Sequence, residues 1–228
     1  MRLLHQDFRF IFEFEENTRN LLIVECPHVF CKMVKELSSD DLAEEVRFVL
    51  SENEVPVKKK DHLACVVNPL AVSLNERKLL GKLMDILKKE ICSSELLLES
   101  NQVIALLENY AFNIMQNSDW ELACSNKIDV SGLLKFLSIQ FRDEQKSLIE
   151  KLIDYIKVTS DLLGINCFVF VHLLSYLTEY EMEKLFEYVH YYKVDVLLLE
   201  SRQPEVMEKF TKVIIIDKDA CEIQLSVR

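Results

Sequence analysis

A chain of 228 residues that is 50% hydrophobic has enough apolar material for one large domain, or for a domain with an appendage. Its 27 basic and 38 acidic residues give a net charge of −11, which excludes a protein that is basic all over and leaves room for a local basic groove or for bound cations. No apolar run approaches the ~20 residues of a membrane helix, the first residues lead into no signal-peptide core, and seven cysteines without a C-x-x-C pair read as small hydrophobes of a reducing cytoplasm.

In chain order, residues 8–14 mix alternation with aromatic bulk and predict a strand at a sheet edge. A turn over 17–20 leads to Leu21-Leu22-Ile23-Val24, a β-branched and leucine run without alternation, which reads as a strand buried on both faces. Pro27 then opens a helix over 28–37, as proline does at a first helical position. Residues 46–50 predict a short strand, Ser51-Glu52-Asn53-Glu54 a turn, and Lys58-Lys59-Lys60 a loop leading into a buried strand over 63–67.

The middle of the chain changes to a helical period. From Ser73, paired with Glu76 as a capping box, apolar residues recur through Ile91, break near Ser93-Ser94, and resume through Ile114. If nearly continuous, these ~40 residues would span ~60 Å. A short strand is expected over 127–130 and a short helix over 131–137. A second long helix, over 143–163, carries Leu148, Ile149, Leu152, Ile153, Tyr155 and Ile156 as its stripe. Two long helices inserted between halves of a sheet are expected to pack antiparallel as a leg.

The last quarter supplies the strongest fold signal. Asn166-Cys167-Phe168-Val169-Phe170-Val171 is a strand, and a helix over 178–192 starts at the capping box of Thr178 and Glu181. Further strands follow over 194–199 and 213–216. Strand, crossover helix and strand make a right-handed parallel βαβ unit. The fold class is therefore α/β, with a head from 1–74 and 165–228 and a leg from 75–164, hinged near 119–138.

The junction after the strand over 21–24 is where a nucleotide-binding α/β protein carries its phosphate loop. Such loops need glycines to turn backbone N–H groups onto phosphate. The three glycines here, Gly81, Gly132 and Gly164, lie at no strand end, so both the P-loop and the dinucleotide fingerprint are absent. His172, Glu200 and Asp217 each follow or end a strand of the last quarter, at the carboxyl edge where active sites of open α/β sheets lie. An enzyme acting through these three is one reading. Strand-end and cap duties are the plainer one. Cys26 and Cys31 flank His28, and the five histidines show no metal-ligand spacing.

Arg19-Asn20-Leu21-Leu22-Ile23-Val24-Glu25 with Val29-Phe30-Cys31-Lys32-Met33-Val34 resembles the opening strand and helix of the short Csn-type adaptation proteins of type II-A CRISPR systems. Phe168-Val169-Phe170-Val171, Tyr176-Leu177-Thr178, Val196-Leu197-Leu198-Leu199-Glu200 and Ile215-Ile216-Asp217-Lys218-Asp219 follow that family's order and spacing. The resemblance implies a P-loop-NTPase-like head that has lost its nucleotide loop, with an inserted two-helix leg. It implies a non-enzymatic homotetrameric ring that binds double-stranded DNA ends, independently of sequence and with calcium, in spacer acquisition. The implied partners are other CRISPR adaptation proteins, and the implied place is the cytoplasm. A pure protein scaffold is the remaining alternative.

Binding without sequence readout needs cations facing phosphates and no base-reading helix. The candidates are Lys32 and Lys35 on the first helix, Lys58, Lys59 and Lys60 in their loop, Lys135, and Lys151 on the second long helix. Lys32, Lys59, Lys135 and Lys151 match basic positions of the family pattern. Calcium needs six to eight hard oxygen ligands, and the family gathers acids where leg meets head. Asp119 and Glu121 keep acids at matching positions. Ala123 and Lys127 depart from the pattern, leaving the number of ions open, and Asp129 and Glu144 are the candidates to compensate.

Overall fold

The computed structural model describes residues 1–15, 17–39, 47–124, 128–142, 146–205 and 207–226. At the start of the chain, β1 (Arg2–His5) and β2 (Ile11–Glu13) form an antiparallel pair, and β3 (Asn20–Val24) leads directly into α1 (Pro27–Ser38). Then come β4 (Phe48–Glu52), β5 (Val55–Val57), the single turn α2 (Lys59–His62) and β6 (Leu63–Val66). The middle holds α3 (Arg77–Cys92), α4 (Leu96–Gln116), α5 (Val130–Phe136) and α6 (Leu148–Leu163). The last quarter holds β7 (Cys167–Val171), α7 (Glu179–Tyr192), β8 (Asp195–Glu200), β9 (Lys212–Ile216) and β10 (Glu222–Ser226).

The runs that read as doubly buried strands meet in one six-stranded sheet of order β10-β9-β3-β8-β7-β6. All pairs are parallel except β10 on β9. Every residue of β3 and β7 is buried, and the period of two divides them between two cores. Leu21, Ile23, Phe168, Phe170, Val196, Leu198, Val213 and Ile215 face α6 and α7. Leu22, Val24, Val169, Leu197, Leu199, Ile214 and Ile216 face α1 and a second sheet.

That second sheet corrects the reading of the first 60 residues. It is antiparallel, of order β2-β1-β4-β5, and sends Leu3, Phe12, Phe48 and Leu50 into the core shared with α1. The strand expected over 8–14 contracts to β2, and β1 and β5 were not expected. Both are short, and Pro56 sits in β5, tolerable because β5 is an edge. The pairing Glu52↔Val55 leaves Asn53 and Glu54 as a two-residue turn, with φ of 48° and 65°. Such left-handed pairs match the twist of a hairpin.

Two helix expectations also change. Helix α3 starts at Arg77 with Glu76 as its N-cap, not at a Ser73 capping box. The Asn75 side chain instead holds the backbone of Phe141 from both sides, donating to its carbonyl at 3.1 Å and accepting from its N–H at 2.9 Å. Helix α6 starts at a capping box of Ser147 and Glu150 and ends at Gly164, whose φ of 70° suits a glycine. Its Ile149, Leu152 and Ile156 are spent on the sheet core beside Phe168 and Phe170. The chain accordingly forms one compact unit of Met1–Ser73 with Glu144–Arg228, and a second of Leu74–Asp143. The expected leg of two long helices is thus corrected: α6 belongs with the sheet, and the helical unit is built from α3, α4 and α5.

Candidate nucleic-acid interface

The lysines of the first helix and of the triple-lysine run come together at one corner of the sheet unit. Lys59 is only 4% exposed, and its ammonium donates to the carbonyl oxygen of Glu36 near the end of α1. The run is not a loop, as expected, but the N-cap and first turn of α2. In a helix, successive residues point about 100° apart, so the same turn that buries Lys59 leaves Lys58 and Lys60 exposed. Lys59 is therefore removed from the phosphate-contacting set: it pins α2 to α1 and positions its neighbours. The peg brings Lys58 and Lys60 to the end of α1 that carries Lys35, also exposed.

Lys32, on the same helix, is partly spent. Its ammonium lies 3.2 Å from Asp7 and 3.9 Å from Glu36. Asp7 also pairs with Arg47: desolvation works to raise its carboxyl, but the hydrogen bonds and charges of Lys32 and Arg47 together outweigh it and leave the pKa lowered. Glu36 in turn meets Nε2 of the buried His5 at 3.1 Å, while Nδ1 accepts the Asp7 N–H, so the ring donates from Nε2. Burial lowers the pKa of His5. Lys151 is half-buried on α6, across the sheet from α1. Lys135 is exposed in the last turn of α5, in the helical unit, beside an exposed Phe136. Of the expected lysines, Lys35, Lys58 and Lys60 share one corner of the sheet unit, Lys151 lies on α6 of that unit, and Lys135 belongs to the helical unit.

Of the acids expected to hold calcium, Asp119, Glu121 and Asp129 are among the described residues. Asp119 and Glu121 are exposed. Asp129 is the N-cap of α5: its carboxylate accepts from the Gly132 N–H at 2.8 Å and lies 3.5 Å from Lys88. The Gly132 bond, ahead of the lysine, lowers its pKa. Glu144 and Lys127 lie outside the described residues. No three His, Cys, Asp or Glu side chains among the described residues are placed to hold one metal ion.

At the carboxyl edge of the sheet, His172 Nδ1 lies 3.4 Å from Glu200, and its ring packs on Phe30 at 4.9 Å. Glu200 is 5% exposed and accepts the Leu174 N–H at 3.0 Å. Burial raises its pKa, opposed by that N–H and by His172. Asp217 does not join them. Its carboxylate accepts the N–H groups of Asp219 and Cys221 and so shapes the turn between β9 and β10. Only Glu25 and Cys26 separate β3 from α1, and the Glu25 carboxylate is taken by Gln203 at 2.9 Å. Burial pushes the Cys65 thiol up to about 12 and Cys167 well above its ordinary value, which keeps both protonated. Among the described residues, no helix is long and apolar enough to cross a membrane.

The family described as CRISPR-associated protein (Cas_Csn2) matches residues 29–220. The chain belongs to the Csn2 family. A CRISPR-associated protein Csn2 of Streptococcus agalactiae is 26% identical over 202 residues, 87% of each chain. Another Csn2, of Enterococcus faecalis, is 33% identical over 75 residues, which is 33% of this chain and 34% of that one. In fold, the crystal structure of Stu0660 of Streptococcus thermophilus matches with a TM-score of 0.61 at 12% identity, covering 99% of this chain and 76% of that one. This Csn2-family chain has the α/β class read from its strands, with a strand-to-helix junction that lacks the glycines of a phosphate loop.

Proposed function

We propose that this chain binds double-stranded DNA ends without reading sequence, as a homotetrameric ring acting in CRISPR spacer acquisition in the cytoplasm. Membership of the Csn2 family carries the reading. Exposed Lys35, Lys58 and Lys60 at one corner support it, because a phosphate backbone asks for cations and for no groove-reading helix. Self-assembly is supported by α4, whose Leu96, Leu98, Leu106, Tyr110, Phe112 and Ile114 are each at least half exposed, more apolar surface than a lone subunit usually leaves in water. A non-enzymatic role fits a junction that has no means of cradling a nucleotide phosphate. Calcium and contacts with other adaptation proteins enter through the family resemblance alone.

Light scattering with and without a short linear duplex tests the reading. A tetramer that binds linear duplex, weakens steeply with salt and ignores closed circles is expected. Lys135→Glu and Lys151→Glu should each weaken binding and leave assembly intact. A monomer at micromolar concentration, or equal binding of closed circles, removes the ring. Calorimetric titration of calcium into the parent and into Asp119→Ala/Glu121→Ala decides whether those acids take part. Duplex cleavage in the same samples would move the function to the His172–Glu200 edge.

A further inference from the structure

Helix α3 carries five basic residues among its sixteen: Arg77, Lys78, Lys82, Lys88 and Lys89. Lys88 turns toward Asp129 and is paired there. Lys78, Lys82 and Lys89 are exposed and have no ion-pair or hydrogen-bond partner among the described residues. At about 100° per residue the three fall within roughly 40° of one another, along ~16 Å of one helix face. Asp85 is the acid on that face. The next helix, α4, has no basic residue and two acids, Glu99 and Glu108, so the charge is segregated rather than general.

Gly81 lies at the edge of that face, about 60° round the helix from Lys78 and about 100° from Lys82. It is exposed, and no atom stands within 4 Å of the place a Cβ would take. A glycine inside a helix costs about 1 kcal/mol relative to alanine, which would fit here without touching anything. No described residue uses the space. The bare main chain beside the lysine row leaves room for something from outside to lie close.

We propose that the Lys78, Lys82 and Lys89 face of α3, with Gly81 at its edge, seats the sugar-phosphate backbone of a nucleic-acid duplex. The other exposed residues of α3 are Arg77, Asp85, Glu90 and Cys92, so the surface offers no large aliphatic or aromatic anchor. Protein interfaces are held at such anchors, and single strands are held by stacking on aromatic rings. A duplex backbone needs only spaced cations and room to lie close. The inference rests on the proposed duplex binding and adds to it a surface in the helical unit.

The test measures binding of a short linear duplex across a salt series for the parent, for Lys78→Gln/Lys82→Gln/Lys89→Gln, and for Gly81→Leu. Circular dichroism and light scattering check fold and assembly. The triple variant should flatten the slope of log K on log salt by about 0.9 for each phosphate that is no longer neutralised. Gly81→Leu should weaken binding severalfold at unchanged charge, by filling the seat. A triple variant with the parent's slope overturns the site. If Gly81→Leu binds like the parent while the triple variant is weaker, the lysines act as a diffuse field, and the seat is overturned. A parent that binds no duplex at all brings down the proposed function, and this site with it.

Discussion

The pentapeptide Leu-Leu-Leu-Glu-Ser occurs twice in this chain, at 96–100 and at 197–201. At the second position it is β strand: Leu197, Leu198 and Leu199 are 0% exposed and Glu200 is 5%. At the first it opens a helix, and Leu96 and Leu98 are 50% and 69% exposed. The five residues are identical, so the difference comes from their flanks and from what covers them. Val194, Asp195 and Val196 lead the second copy into a sheet whose two faces are both covered. Ser93, Ser94 and Glu95 precede the first, and a long helical period follows it. The sheet unit closes its core with its own helices; the helical unit leaves leucines outside.

The first way to break this comparison is to truncate the buried copy. Leu198→Ala removes a fully buried side chain from the core under α6 and α7 and should cost about 2–5 kcal/mol in urea unfolding. Leu152→Ala on α6 should cost a similar amount, because that residue is 0% exposed in the same core. A loss near zero for Leu152→Ala would return α6 to the helical unit.

The glutamates of the two copies sharpen the contrast through pH. Burial raises the pKa of Glu200 above its ordinary 4.5. Ionising it therefore costs the folded state more than the unfolded chain, so stability falls as pH rises from about 4.5 through the folded value. Glu200→Gln keeps an acceptor for the Leu174 N–H and should abolish that fall. A parent whose unfolding midpoint climbs through the same window contradicts the burial. Weaker again is the cap of α7, where Thr178→Ala should cost about 1 kcal/mol, since Glu181 loses the partner that receives its N–H.

How much of this was legible follows the same physics. Strands β3, β7, β8 and β9 were legible because apolar runs with no alternation have few other uses. The capping box of Thr178 and Glu181 was legible because its two partners are three residues apart. The stripe of α6 was legible, but a stripe does not say which neighbour it meets, and the sheet claimed it. Strands β1 and β5 are four and three residues long, too short to show a period. Among the site residues, the run of three lysines gave no sign that Lys59 would be buried, since that depends on the carbonyl of Glu36, 23 residues away. The lysines of α3 could have been found from their spacing, once the helix boundaries were known.

The smallest effect belongs to the exposed copy. Leu98 is 69% exposed, so in an isolated subunit Leu98→Ala should change unfolding free energy by no more than about 0.5 kcal/mol. The same substitution gains force only if another surface covers α4. Urea unfolding at low and high protein concentration separates the two cases. A cost that stays near zero at both leaves Leu98 in water. A cost that appears only at high concentration means that the leucine is buried by assembly, and the contrast between the two copies then belongs to the lone chain rather than to the working protein.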